Sequence, residues 1–152
     1  MPRSVTGDTV IMSEKHTNTS RPVKDASTVM VVRDSDRGPE VFVARRVKGM
    51  AFAAGMTVFP GGGVDDADDD PAVAWTGPGP HWWAERFGCD EARARRLVCA
   101  AARETFEECG VLLADHLDGS PVSDAGRFHS SRAELEAHRL SFSHFLAAEE
   151  LS

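Results

Sequence analysis

Positive charge is scarce in this sequence. Seventeen lysines and arginines stand against 24 acidic residues, for a formal net charge of −7 and a pI near 5.3. So acidic a chain offers no general surface for nucleic acid or an anionic membrane. An anionic substrate remains open, provided a bound cation supplies positive charge locally. Long hydrophobic runs are missing too. No apolar stretch approaches the ~18 residues of a membrane span. The start, MPRSVTGDTVIMSEKHTNTSRPVKD, lacks the apolar centre of a secretory signal. Residues 1–25 read as a flexible polar leader, with Met12 as an alternative start. Cysteine is sparse and odd in number. Cys89, Cys99 and Cys109 recur every ten residues, which is no zinc spacing, so reduced, packed thiols of a cytoplasmic protein are expected.

What is present suffices for one domain. A hydrophobic content of 41% in 152 residues permits a real core, which would bury roughly 68–70% of the unfolded surface. Ser27–Arg33, STVMVVR, is short, apolar and β-branched and predicts a buried strand. Asp34–Pro39 carries turn residues, and Glu40–Arg46 predicts a second strand. Lys48–Gly55 reads as a loop and Met56–Phe59 as a third strand ending at Pro60. Gly61-Gly62-Gly63 then suits a tight turn or a close backbone approach to an anion. Asp65–Pro71 reads as a solvated acidic loop. Residues 71–89, with Trp75, Trp82 and Trp83, read as an insertion with a short helix at His81–Phe87. The tryptophans either pin it to the core or stack on a base.

Asp90 caps a predicted long helix, Glu91–Cys109, and Gly110 is its natural terminator. Val98, Ala101, Ala102, Thr105 and Cys109 form one face of it, and Glu104, Glu107 and Glu108 fan over another. Like charges at i,i+4 cost an isolated helix roughly 0.2–0.5 kcal/mol per pair, and no lysine follows Arg103 to dilute them. Mg²⁺ favours carboxylate oxygens together with substrate phosphates. From the glutamates alone, a solvated acidic helix end and a cation site both stay open. Asp118–Gly126 is loop-like. Ser131–His138, with a Ser131/Glu134 capping box, and Phe142–Leu151 predict two more helices. No strand signal follows residue 113.

The order of strand, strand, FPGGG turn and a helix ending RETFEECGV resembles the Nudix hydrolases. Their box runs Gly, five residues, Glu, seven residues, Arg-Glu, an aliphatic, any residue, Glu-Glu, any residue, Gly, an aliphatic. Arg103, Glu104, Glu107, Glu108, Gly110 and Val111 match its second half, and Phe59-Pro60-Gly61-Gly62 matches the turn before it. Two departures stand out. Gly62 and Arg103 are 41 positions apart where the box has 14, so about 27 residues are inserted. The box's first glutamate has no clean counterpart: Arg95 stands eight before Arg103, and Asp68 stands six after Gly62. Thr105 replaces the usual aliphatic. The long insertion, and VARRVKGMAFAAGMTVFPGGGVD around it, are similar to the branch containing peroxisomal coenzyme A diphosphatases. There Arg46, Gly55 and the FPGG turn fit, whereas Ala51 stands where an arginine is expected.

The resemblance implies an α/β (α+β) fold, a Nudix-type α/β/α sandwich on a mixed sheet. It spans residues 26–152, is helical over 114–152 and is incomplete on its C-terminal side. It implies hydrolysis of a diphosphate linkage in a small-molecule nucleoside diphosphate derivative, leaning to coenzyme A, with NADH or ADP-ribose as alternatives. Glu104, Glu107 and Glu108 would hold Mg²⁺ or Mn²⁺. Glu107 and Arg103 would serve catalysis, Arg103 chiefly by orienting the carboxylates. Arg46, Gly61 and Gly62 would meet the substrate. Neither nucleic acid nor membrane is expected as a partner, and a homodimer is allowed. A competing reading is a non-catalytic acidic α/β binding module or an inactive fragment.

Overall fold

The computed structural model describes residues 23–46 and 55–152. Most of the leader and of the 48–55 loop, Ala51 included, therefore lies outside the described residues. Six short strands come first: β1 (Ala26–Thr28), β2 (Val32–Arg33), β3 (Glu40–Val41), β4 (Ala44–Arg45), β5 (Thr57–Val58) and β6 (Gly61–Gly63). Four helices follow: α1 (Pro80–Phe87), α2 (Glu91–Cys109), α3 (His129–Glu136) and α4 (Phe142–Ala148). Short 3₁₀ turns lie at Asp66–Asp68 and Ala125–Phe128. This is the α+β class expected from the sequence, and no helix of the described residues is long and apolar enough to cross a membrane.

The strands pair antiparallel as β1–β6, β2–β3 and β4–β5. Each of the first two predicted strands is interrupted, so Ser27–Arg33 becomes β1 and β2, and Glu40–Arg46 becomes β3 and β4. The larger difference is at the glycines. Gly61–Gly63 is itself a strand, registered against Ala26–Thr28, and not merely a turn. Its lack of side chains is what permits the pairing: a Cβ at Gly61 would overlap the Ser27 carbonyl oxygen and crowd the Thr28 Cα.

α2 organises the rest. The Asp90 carboxylate accepts the Arg93 N–H at 2.7 Å, and Gly110 ends the helix in the left-handed conformation at φ 72°; both follow from ordinary capping chemistry. The Ser27 hydroxyl donates to the Leu97 carbonyl at 2.6 Å and ties β1 to the helix. The packing is not confined to the face predicted from the wheel. Ala94, Cys99, Ala100, Arg103, Thr105, Phe106 and Glu107 are all buried, because β1 and β6, α1, α3 and the Asp66–Asp68 turn meet α2 on several sides. Thr105 is fully buried in place of an aliphatic, and its hydroxyl is satisfied by the Ala101 carbonyl at 2.7 Å, the usual back-bond of a helical threonine.

The core joins Phe106 of α2 to Phe128, Leu135, Phe142, Phe145, Leu146 and Leu151. Phe106 stacks on Phe145 with centroids 5.4 Å apart, a separation at which aromatic pairs add to simple area burial. The 114–152 region is accordingly helical and loop-like, with only isolated bridges at Asp115–Pro121 and His116–Leu151. Helix α3 starts two residues before the predicted position. Ser131 lies inside it, so its predicted capping box does not form, and Phe128 occupies the N-cap. On and beside the strands, by contrast, Met30, Val32, Val41, Val43 and Met56 stand exposed.

Candidate functional site

Arg103 is the hub. It is 5% exposed, so its five donors need partners inside the protein. Nε and Nη2 form a two-pronged pair with the Asp68 carboxylate at 3.0 and 3.1 Å. Nη2 also reaches the Gly63 carbonyl at 2.9 Å, and Nη1 reaches Glu104 at 3.0 Å and Glu107 at 3.4 Å. Burial opposes the arginine's charge, but the Asp68 hydrogen bonds, the Asp68 charge, and then Glu104 and Glu107 outweigh it and raise its pKa.

Asp68 corrects the reading of 65–71 as a solvated loop. It is 3% exposed, the 3₁₀ turn tucks it under α2, and its other contact is the Asp65 backbone N–H at 2.8 Å. Asp68, six residues after Gly62, is thus the two-pronged acidic partner of Arg103. Arg95, the other candidate, lies elsewhere, over Trp75 with its guanidinium carbon 5.4 Å from the ring centroid. The inserted residues between Asp68 and Arg103 leave the pair intact because they loop out and fold back as α1 against α2.

The strand of glycines meets the same helix. The Gly61 N–H donates to the Glu108 carboxylate at 3.0 Å. A Cβ at Gly62 would overlap the Glu104 carboxylate, whereas one at Gly63 would meet nothing within 4 Å. Glu104, Glu107 and Glu108 line one open groove with Arg45 and Arg46 of the β4 segment, Val58, and Arg132 and Glu136 of α3. Arg46 is anchored by its backbone, its N–H bonding the Met56 carbonyl at 3.0 Å. Its Nε is buried without a hydrogen-bond partner among the described residues. The structure therefore brings Arg46, Glu104, Glu107 and Glu108 to one groove, places Arg103 beneath it, and sets Gly61 and Gly62 against the glutamates.

The carboxyl pKa values of Glu104 and Glu107 are both raised, first by burial, against the lowering effect of Arg103. Among the described residues no three His, Cys, Asp or Glu side chains converge as a ready-made cation cage. Protein donors hold these carboxylates instead: Arg103 donates to Glu104 and Glu107, and the Gly61 N–H to Glu108. The donor set is nonetheless all oxygen and crowded with negative charge, which fits a hard divalent ion. Arg132 and Glu136 were not found from the sequence. They lie 25 or more residues beyond Glu107, on a different helix, and carry no local motif.

No family model matches the chain, and no curated protein sequence does. Among solved structures, the crystal structure of a NUDIX hydrolase from Alicyclobacillus acidocaldarius is similar to it, with a TM-score of 0.63 and 28% sequence identity. The match covers 86% of this chain and 56% of that one, so the chain spans little more than half the length of that relative. The similarity supports the Nudix-type fold and the Nudix family for the chain.

Proposed function

We propose that this chain carries the metal-binding part of a Nudix hydrolase acting on the diphosphate linkage of a small nucleoside diphosphate derivative. The observation that carries the reading is the shared groove. Three glutamates from one helix and Arg46, just past the end of β4, face it, while the glycine strand fixes Glu108 and leaves Glu104 room. In this reading Glu104, Glu107 and Glu108 hold Mg²⁺ or Mn²⁺. When bound, the ion would neutralise the diphosphate and lower the pKa of an attacking water. Arg103 is buried beneath the carboxylates and serves to orient them. Arg46, on the rim of the same groove, would meet a phosphate oxygen. Glu107, at 9% exposure, is the most enclosed of the three carboxylates.

The leaning to coenzyme A or an acyl derivative rests on Arg46, Gly55, the FPGG turn and the long insertion, and NADH or ADP-ribose is the alternative. The exposed apolar side chains of the strands suit a sheet that further strands or another layer cover, which supports reading these elements as part of a larger Nudix unit. On that reading the 152-residue chain binds metal but turns substrate over weakly. Titration with Mn²⁺ tests the first half: the wild type should bind and Glu108→Gln should lose most of the affinity. Equal behaviour would favour a non-catalytic acidic module. Coenzyme A, acyl-coenzyme A, NADH and ADP-ribose offered side by side test the second, and robust Mn²⁺-dependent turnover of any of them would overturn the weak-activity expectation.

A further inference from the structure

We propose that Arg132 of α3 is a positioning residue for the metal-binding turn of α2. The inference rests on the metal-site reading above. Helix α2 ends on Glu107, Glu108 and Cys109, with no basic residue in its last turn. Its C-terminus also carries roughly half an elementary negative charge and carbonyls without helical partners. Two carboxylates at that end are therefore poorly placed, and the basic residue of α2 that reaches one of them, Arg103 at 3.4 Å from Glu107, lies a turn earlier and leaves the terminal carbonyls unserved. The Gly110 N–H takes the Phe106 carbonyl at 2.9 Å. The Glu107 carbonyl is taken from outside the helix: Arg132 donates to it from Nε at 2.9 Å and from Nη2 at 2.6 Å.

That carbonyl belongs to the peptide joining Glu107 to Glu108. A two-pronged contact to it fixes the peptide plane, and with it the directions in which both side chains leave the backbone. The guanidinium is itself held. Glu136, one turn along α3, contacts Nε at 3.2 Å, and Nη1 lies over Gly110, where an added Cβ would come within 3.2 Å of it. The same guanidinium lines the groove of Glu104, Glu107 and Glu108. Arg132 thus bears on a bound cation in two opposed ways. Its charge repels the ion, and its hydrogen bonds hold the ligands in place. The groove is open to water, which screens the first effect, so positioning dominates.

The signs differ, and Mn²⁺ affinity reads them. It is measured by electron paramagnetic resonance on wild type, Arg132→Met, Arg132→Lys and Glu108→Gln, with circular dichroism and thermal melting alongside. Positioning predicts that Arg132→Met weakens Mn²⁺ binding about tenfold, within the range for outer-shell partners. Arg132→Lys, which keeps the charge but not the two-pronged geometry, falls between it and wild type. Binding by folded Arg132→Met as tight as wild type or tighter overturns the proposal, even if its melting temperature drops. Should Arg132→Met fail to fold, Arg132→Lys decides, and unchanged affinity in it overturns the proposal. If wild type and Glu108→Gln bind equally, the metal reading falls and takes this inference with it. If only Glu108→Gln loses affinity, this inference fails alone.

Discussion

Replacing Asp68 by alanine should destabilise the protein more than any other single change in the 65–70 acidic run. Asp68 and Arg103 are 3% and 5% exposed and share two hydrogen bonds near 3 Å. Breaking a buried pair by removing one partner costs about 3–5 kcal/mol, because the remaining charge is stranded. Arg103 keeps Glu104, Glu107 and the Gly63 carbonyl, which points to the lower end, about 3 kcal/mol. For a chain of this size each kcal/mol shifts Tm by about 2–4 °C, so a fall of about 10 °C is expected. Urea unfolding followed by tryptophan fluorescence gives the free energy directly. Asp66→Ala and Asp69→Ala, at exposed positions, are the controls and should stay within about 0.5 kcal/mol of wild type. A loss below about 1 kcal/mol for Asp68→Ala, or an equal loss at Asp66, would refute the assignment of Asp68 as the anchor of Arg103.

Gly62→Ala should push the Glu104 carboxylate aside and lower Mn²⁺ affinity while Gly63→Ala leaves it unchanged; equal effects, measured by the same titration, would contradict the close approach. Burial raises the Glu104 and Glu107 carboxyls, so they favour the fold below their unfolded pKa, and that contribution is lost as pH rises through the raised values. A bound divalent ion compensates the charged forms, so the Mn²⁺-induced gain in Tm should be larger at pH 7.5 than at pH 5, and a pH-independent gain would count against it. The Cys99 thiol is pushed up to about 11, mainly by burial and then by the Asp68 charge. At pH 8 a disulfide reagent should label Cys89 and Cys109 well before Cys99, and three equal rates would exclude this burial.

Much of the site was legible along the chain. The spacing of Arg103, Glu104, Glu107, Glu108 and Gly110 lies within one helix, and helix geometry alone turns that spacing into a cluster. Asp90 and Gly110 announced the helix ends because capping is chemistry between near neighbours. The strands were placed but drawn too long, since pairing depends on which backbone lies opposite, and Gly61–Gly63 forms a strand only because β1 is there to receive it. Asp68 was visible as a spacing, six residues after Gly62, but nothing local distinguishes it from the exposed aspartates around it.

By itself, then, the sequence determined the charge balance, the acidic helix and its caps, all matters of composition and short-range geometry. Only the tertiary structure decided which aspartate is buried, that Gly62 is hemmed in by Glu104, and that α3 returns Arg132 to the end of α2. Those contacts join residues 35, 42 and 25 positions apart, respectively. Their partners are chosen by packing and by the need of every buried charge and carbonyl for a mate, which no local pattern records.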